Sequence, residues 1–260
     1  PGADRAGPRA GTGGPAAADR AGAGGTTPVL TLLISVIIPT RNRPEFLPEA
    51  VTSVLRQREA ELELIIVNDG TIPVPDFDDA RVMTISSNEE GAVPARNLGV
   101  AQASGDAIAF LDDDDQWTDD HWLKMSTDAL TNGAGLVFGD GRMVYPDGKS
   151  KPFRQDATAA SLARDNTILI SSVCYLKSLH EALGPFDESL PYYWDWDWYI
   201  RVARSGAKLQ RIASPVVDIR VHADNMSGQR NAAARQENLN RLAQKYELGQ
   251  LELKAHVDFI

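Results

Sequence analysis

Cysteine is nearly missing from this chain. Of 260 residues, only Cys174 carries a thiol. That excludes an intramolecular disulfide framework and any zinc or iron–sulfur site built from several cysteines. Long apolar runs are missing too. The longest, 29–39, is interrupted by Thr31 and Ser35, and it falls short of the roughly 18 residues of a spanning helix. There is no surplus of basic residues: 26 Lys+Arg stand against 36 Asp+Glu, a formal net charge of −10. Such a balance argues against wrapping nucleic acid. Three catalytic signatures are also lacking: the G-x-S-x-G elbow, the G-x-G-x-x-G fingerprint and the Walker A loop. With no leader or membrane anchor to read, the expectation is a cytoplasmic protein, or one peripheral at the inner face of a membrane. A homo-oligomer is compatible with this composition. Usage rich in Ala, Gly and Arg fits a GC-rich bacterial source.

What is present is enough for a core, since 43% of residues are hydrophobic. Residues 1–28 differ from the rest, with 20 Gly, Ala or Pro and no large apolar side chain. Ordering them costs backbone entropy and buries little, so a flexible tail is expected there. Residues 29–260 read as one domain. Short β-branched runs at Leu33–Ile38, Leu62–Val67, Arg81–Ile85 and Ala107–Leu111 predict strands. Between and after them, helices are predicted over Pro44–Arg58, Ala92–Ala103 and Thr118–Leu130, the last capped by Thr118. This alternation predicts an α/β domain with a Rossmann-like, mostly parallel central sheet flanked by helices. The second half is less regular. Strands are expected at Leu136–Gly139, Arg142–Tyr145, Ile168–Tyr175, Leu209–Ile212 and Val216–Val221. Helices are expected at Ala157–Arg164, Lys177–Leu183, Tyr192–Ser205 and Gln236–Leu248. The chain divides at about 117 into a regular part (29–117) and a smaller mixed part (118–230), with the C-terminal helix at about 235–248.

The strongest chemical signal is Asp112-Asp113-Asp114-Asp115, directly after a predicted strand. Seven aspartates and no basic residue lie between 106 and 120. Adjacent carboxylates repel one another, and a divalent cation relieves that repulsion. Mg2+ and Mn2+ prefer oxygen ligands and share their shell with phosphates. Carboxyl ends of parallel strands are also where open α/β sheets bind ligands. A solvated acidic loop is the plain alternative. Asp69, and Pro39, Thr40 and Arg41, follow other strands in the same way, and Arg96 offers a fork donor for phosphate. Residues 192–199 read YYWDWDWY. Asp195 and Asp197, two apart on a helix, face about 200° away from each other, so only one is expected to point into a cleft; the plain alternative is a core helix in which one Asp is at the surface and the other pairs with Arg201 or Arg204. Enclosure by Trp194, Trp196 and Trp198 raises a carboxylate's pKa and suits a general base, and these rings offer faces for a sugar to stack on. His222 closes the last strand, where it supplies either a structural hydrogen bond or a metal or phosphate contact.

Several segments taken together resemble the inverting nucleotide-sugar glycosyltransferases of family 2, which have the GT-A fold. They are SVIIPTRNRPEFLPEAVTSVLRQ (35–57), ELIIVNDGT (63–71), NEEGAVPARNLGVAQASGDAIAFLDDDDQW (88–117), GPFDESL (184–190) and WDWDWYIRVARSG (194–206). The resemblance covers about residues 34–227, and it implies that 29–117 is the nucleotide-binding half and 118–230 the acceptor-side half. It implies that Pro39, Thr40 and Arg41 line the nucleotide pocket, that Asp69 hydrogen-bonds the donor base and that Arg96 lies near the donor. It matches Asp112, Asp113 and Asp114 to the D-x-D motif, with Asp112 toward sugar or ribose and Asp114 toward Mn2+ or Mg2+. The register can also be read one residue later, at Asp113–Asp115. His222 resembles a histidine beside the diphosphate and metal. Asp195 matches the catalytic base, although the Glu that usually precedes that base is Trp194 here. Trp194, Trp196 and Trp198 fall at the acceptor side. The implied reaction transfers a single sugar from a UDP- or dTDP-type donor to a hydroxyl of a carbohydrate or natural-product acceptor. Two other readings compete. A nucleotidyltransferase acting on a sugar phosphate needs a Gly-rich basic loop where this chain has Pro-Thr-Arg-Asn-Arg (39–43). A non-catalytic carbohydrate-binding protein leaves the four aspartates unexplained.

Overall fold

The computed structural model describes residues 31–88, 90–222, 225, 231–254 and 258. The tail expected at 1–28 lies outside the described residues. Four parallel strands form one side of a nine-stranded sheet: β3 (Val82–Ser86), β2 (Glu61–Asn68), β1 (Leu33–Thr40) and β4 (Ala107–Phe110). The sheet continues through antiparallel β8 (Val173–Leu176) to β6 (Leu136–Val144), β9 (Leu209–Arg220) and β5 (Gln116–Trp117), and β7 (Ser150–Phe153) pairs with β6. This is a GT-A-like α/β fold, as the sequence predicts.

Strand alternation divides the core into two layers. Ile34, Val36 and Ile38 of β1 pack on one face, with α1 (Leu47–Leu55) and α3 (Trp122–Thr131). Ile37 points to the other face, toward α2 (Ala92–Gln102), α6 (Trp194–Arg204) and α7 (Ala232–Tyr246). β1, β4 and most of β2 are buried on both faces, which is why they read as continuous apolar runs. Gly99 lets α2 sit against this sheet: a Cβ there would lie 2.6 Å from Ile37 Cγ2. The approach also sets the height of Arg96, one turn earlier on α2.

Several boundaries differ from expectation. The third helix starts at Trp122, not Thr118. Thr118 N donates to Val216 O at 2.8 Å, extending the ladder of Trp117 with Val217. The pairs of short strands expected at 136–145 and 209–221 are two long strands, β6 and β9. Their register shifts around Gly139–Gly141, a bulge that breaks the apolar pattern. The strand expected from Ile168 begins as a 3-10 turn at Ile170–Ser172, where Ser172 Oγ caps Leu169 O at 2.9 Å. Between β7 and that turn lies the short α4 (Ala159–Leu162), and α5 (Lys177–Leu183) follows β8. The last helix begins at Ala232 and stops at Tyr246, with Glu247 in the left-handed region (φ 57°). No helix among the described residues is long and apolar enough to cross a membrane.

Candidate active site

The carboxyl ends of β1, β2 and β4 lie side by side because Thr40 pairs with Asn68 and Ile37 with Phe110. A cavity of about 510 Å³ opens there, within the range of small-ligand sites. Pro39, Thr40 and Arg41 enter it from the end of β1, Asp69 from β2 and Asp112–Asp115 from β4. Arg96 enters from α2, and Trp194, Asp195 and Trp196 from the first turn of α6. Residues far apart in the chain thus share one cleft.

Asp69 is held in place. Its Oδ1 accepts from Ser87 Oγ at 2.6 Å and from Gly91 N at 3.0 Å, and its Oδ2 from Arg41 Nη1 at 3.3 Å. Each of the four aspartates after β4 is held by the protein, and Asp113 and Asp114 share Arg43. Asp112 pairs with Arg96. Asp113 accepts from Thr40 Oγ1 at 2.7 Å and Arg43 Nη1 at 2.9 Å. Asp114 Oδ2 lies 2.7 Å from Arg43 Nη1 and 2.9 Å from His222 Nε2. Asp115 accepts from Ser171 Oγ at 2.5 Å and Arg220 N at 3.3 Å. Burial pushes the Asp113 carboxyl up to about 6, against the pull of Thr40 and Arg43. Burial first, then Asp114 and Asp112, holds Asp115 well above the usual carboxylate range. Arg43 is held more firmly protonated: Asp114 and Asp113 outweigh its own desolvation.

The donor set suits a hard divalent cation. Carboxylate oxygens of Asp112, Asp114 and Asp115 come within 4.8 Å of one another, and an all-oxygen cluster is what Mg2+ or Mn2+ takes. Arg43 and His222 sit on the same Asp114 oxygen, where Arg43 supplies counter-charge and His222 a ring nitrogen at hydrogen-bond distance.

Arg96 is buried and its Nε has no hydrogen-bond partner. Its guanidinium lies 4.6 Å over the Trp194 ring, and Trp194 in turn meets Phe186 edge-on at 4.8 Å. Trp194, standing where a Glu was expected, is therefore the ring under the arginine. Asp195 sits one residue further along. The turn into α6 passes through Tyr193 in the left-handed region (φ 61°), a conformation costly for a large residue. That turn delivers Asp195 into the first helical turn, whose N–H groups favour a carboxylate. Asp195 Oδ2 accepts from Asn166 Nδ2 at 2.8 Å. Burial raises its pKa, and Asn166, the backbone N–H groups and Arg96 oppose that rise. Asp197 points the other way and is fully buried. It binds Arg201 Nε at 3.0 Å, Lys245 Nζ at 2.6 Å and Tyr246 Oη at 2.7 Å.

Two residues singled out from the sequence stand apart from the cavity lining. His222 lies behind the lining, with its Nε2 at 2.9 Å from Asp114 Oδ2 and its ring stacked on Phe46 at 5.6 Å. Trp198 is core, wedged between Tyr175 and His180 at 5.3 and 4.9 Å. At its helical position it faces the sheet, so no ligand reaches it. Arg43, Ser171 and Asn166 were not singled out. Arg43 had one signal, a second cation shortly after β1. Ser171 and Asn166 had none.

The model of the family described as "Glycosyl transferase family 2" matches residues 35–182. The glycosyltransferase YwdF of Bacillus subtilis is 36% identical over 239 residues, covering 85% of this chain and 87% of YwdF. An Escherichia coli enzyme, UDP-Glc:alpha-D-GlcNAc-diphosphoundecaprenol beta-1,3-glucosyltransferase WfgD, is 28% identical over 176 residues, covering 65% of this chain and 68% of its own. Among solved structures, S. aureus TarS 1-349 in complex with UDP-GlcNAc shares the fold at a TM-score of 0.64 and 18% identity, covering 84% of this chain and 68% of that one. The mannosyltransferase PcManGT of Pyrobaculum calidifontis, in complex with GDP-Man and Mn2+, matches at 0.59 and 15%, covering 86% and 66%. The chain belongs to glycosyl transferase family 2 and is a glycosyltransferase that uses a nucleotide sugar.

Proposed function

We propose that this enzyme transfers a single sugar from a UDP- or dTDP-type donor to an acceptor hydroxyl with inversion, and that Asp195 is the general base. One observation carries the reading: Asp69, Arg96, Asp112–Asp114 and Asp195 border a single cavity although they come from four different segments. Asp69, steadied by Ser87 and Gly91, accepts from the donor base. Thr40 and Arg41 flank the nucleotide. Asp112 faces sugar or ribose. Arg96 turns toward the diphosphate, and its unpartnered Nε is a donor awaiting an oxyanion. Asp112 and Asp114, with His222 alongside, would hold Mn2+ or Mg2+, which when bound neutralises charge on the departing diphosphate. Asp115 lies in the same cluster, its two oxygens accepting from Ser171 Oγ and Arg220 N.

At the acceptor end, Trp194 and Trp196 wall the cleft. The acceptor O–H gives its proton to Asp195 while its oxygen bonds to the anomeric carbon. The bond from that carbon to the diphosphate oxygen breaks on the opposite face, and the nucleoside diphosphate leaves with the electron pair. A raised pKa brings Asp195 closer to the strength a base needs. The UDP donor named for WfgD and the UDP-GlcNAc bound by TarS support a uridine nucleotide first, and the lipid-linked glycan named for WfgD supports a carbohydrate acceptor.

The test is Asp195→Asn. Turnover should fall about 10²- to 10⁴-fold, as for a lost general base, with nucleotide binding retained. Wild-type turnover in that variant, or retained anomeric configuration in the wild-type product by NMR, rejects the mechanism.

A further inference from the structure

We propose that Asn166 is the positioning residue of the base: its carboxamide holds the Asp195 carboxylate in the orientation from which it takes the acceptor's proton. The inference rests on the reading of Asp195 as base.

Asn166 lies on the loop between α4 and the 3-10 turn at Ile170, 29 positions before Asp195. Its Nδ2 donates at 2.8 Å to Asp195 Oδ2, and it borders the same cavity. A donor on one carboxylate oxygen restricts rotation of the group and leaves the second oxygen to the substrate. The donor must also be neutral. A cation there would bind the carboxylate as an ion pair and weaken it as a base, whereas an amide orients it at less cost in basicity. The other Asn166 atom, Oδ1, is buried with no hydrogen-bond partner. Leaving an amide oxygen unpaired is expensive, so this residue is held here for its N–H and not for its own stability.

The loop has its own support. Thr167 Oγ1 donates to Asp156 O at 3.2 Å, and Asp165 pairs with Lys254 Nζ at 2.7 Å. The C-terminal segment thereby braces the residue next to Asn166. The charged and titratable groups around Asp195 are Arg96 from α2, Tyr193 and Tyr199 from its own segment, and Arg235 from α7, which lies 5.8 Å from the Tyr193 ring centre. Among the described residues, Asn166 is the one side chain whose hydrogen bond to Asp195 is seen.

Asn166→Leu is the discriminating variant, because it nearly keeps the shape, removes the donor and adds no charge beside Asp195. At neutral pH, kcat should fall about 10- to 100-fold, the size of a lost hydrogen bond to a charged group, with unchanged affinity for UDP by calorimetry. Asn166→Ala should show the same kcat loss and move the acid limb of kcat to higher pH, since a contact favouring the carboxylate is gone. A kcat within twofold of wild type for Asn166→Leu overturns the proposal. So does a loss of UDP affinity that matches the loss of rate, which marks a merely structural role. Asp195→Asn is run beside it. If that variant is as active as wild type, the base assignment has failed. If it is inactive while Asn166→Leu is normal, only the Asn166 inference has failed.

Discussion

The two aspartates of α6 make opposite demands on the fold, and substituting them separately tests the division of labour. Asp197 is fully buried and receives three side-chain hydrogen bonds, from Arg201, Lys245 and Tyr246. Breaking a buried pair by removing one partner costs about 3–5 kcal/mol. Here the cations are not stranded. Lys245 keeps Asp187 at 2.7 Å, and Arg201 keeps the carbonyls of Leu183 and Pro185 at 2.8 Å each. The lower end of the range, about 3 kcal/mol, is therefore expected for Asp197→Ala. In a domain of this size that lowers Tm by roughly 6–12 °C. Asp195→Asn should behave in the other way. Burial raises the Asp195 pKa, so the folded state binds its proton more tightly than the unfolded chain. Stability from this group is full below the unfolded value of about 3.9 and is lost as pH rises through the raised folded value. A neutral amide removes that loss, so Tm at pH 7 should stay level or rise. Thermal unfolding by circular dichroism at pH 7, paired with initial rates at 25 °C, reads both. Asp197→Ala should unfold early yet turn over when folded, and Asp195→Asn should unfold normally yet be inactive. A Tm for Asp197→Ala within 2 °C of wild type, or an equal fall in Asp195→Asn, refutes the assignment.

Other outcomes follow from the same geometry. Gly99→Ala places a Cβ 2.6 Å from Ile37 Cγ2 and 3.2 Å from Val67 Cγ2. It should cost about 1–3 kcal/mol as overpacking and lower nucleotide affinity by displacing Arg96, so denaturant titration and calorimetry should move together. The acid limb of kcat in the wild type should lie above the ordinary carboxylate range, because burial holds Asp195 up. The rate should fall as pH drops through that value, and a pH–rate profile with its limb near 4 contradicts the buried base.

The half of the sheet that carries the donor side was legible because its physics is local. Parallel strands covered on both faces must be apolar throughout, so β1, β2 and β4 stand out as short β-branched runs, and whatever polar residue follows them is delivered to one edge. The long strands β6 and β9 were less legible because a bulge around Gly139–Gly141 and Pro215 breaks their pattern. The tryptophans were only partly legible. Composition placed three of them near Asp195, but helical position puts Trp194 under Arg96, Trp196 on Leu162 O at 2.7 Å, and Trp198 in the core.

The amino-acid sequence by itself determined the α/β class, the row of strand ends bearing Thr40, Asp69 and Asp112, and the pairing of a carboxylate with aromatic rings at Asp195, since each depends on neighbours a few residues away. Only the tertiary structure decided which aspartate of the four each partner takes, that Arg43 bridges Asp113 and Asp114, and that Asn166 holds Asp195. Those contacts join loops about 30 to 110 positions apart, and no local pattern encodes them, because a hydrogen bond between two loops depends on where the whole sheet has carried each one.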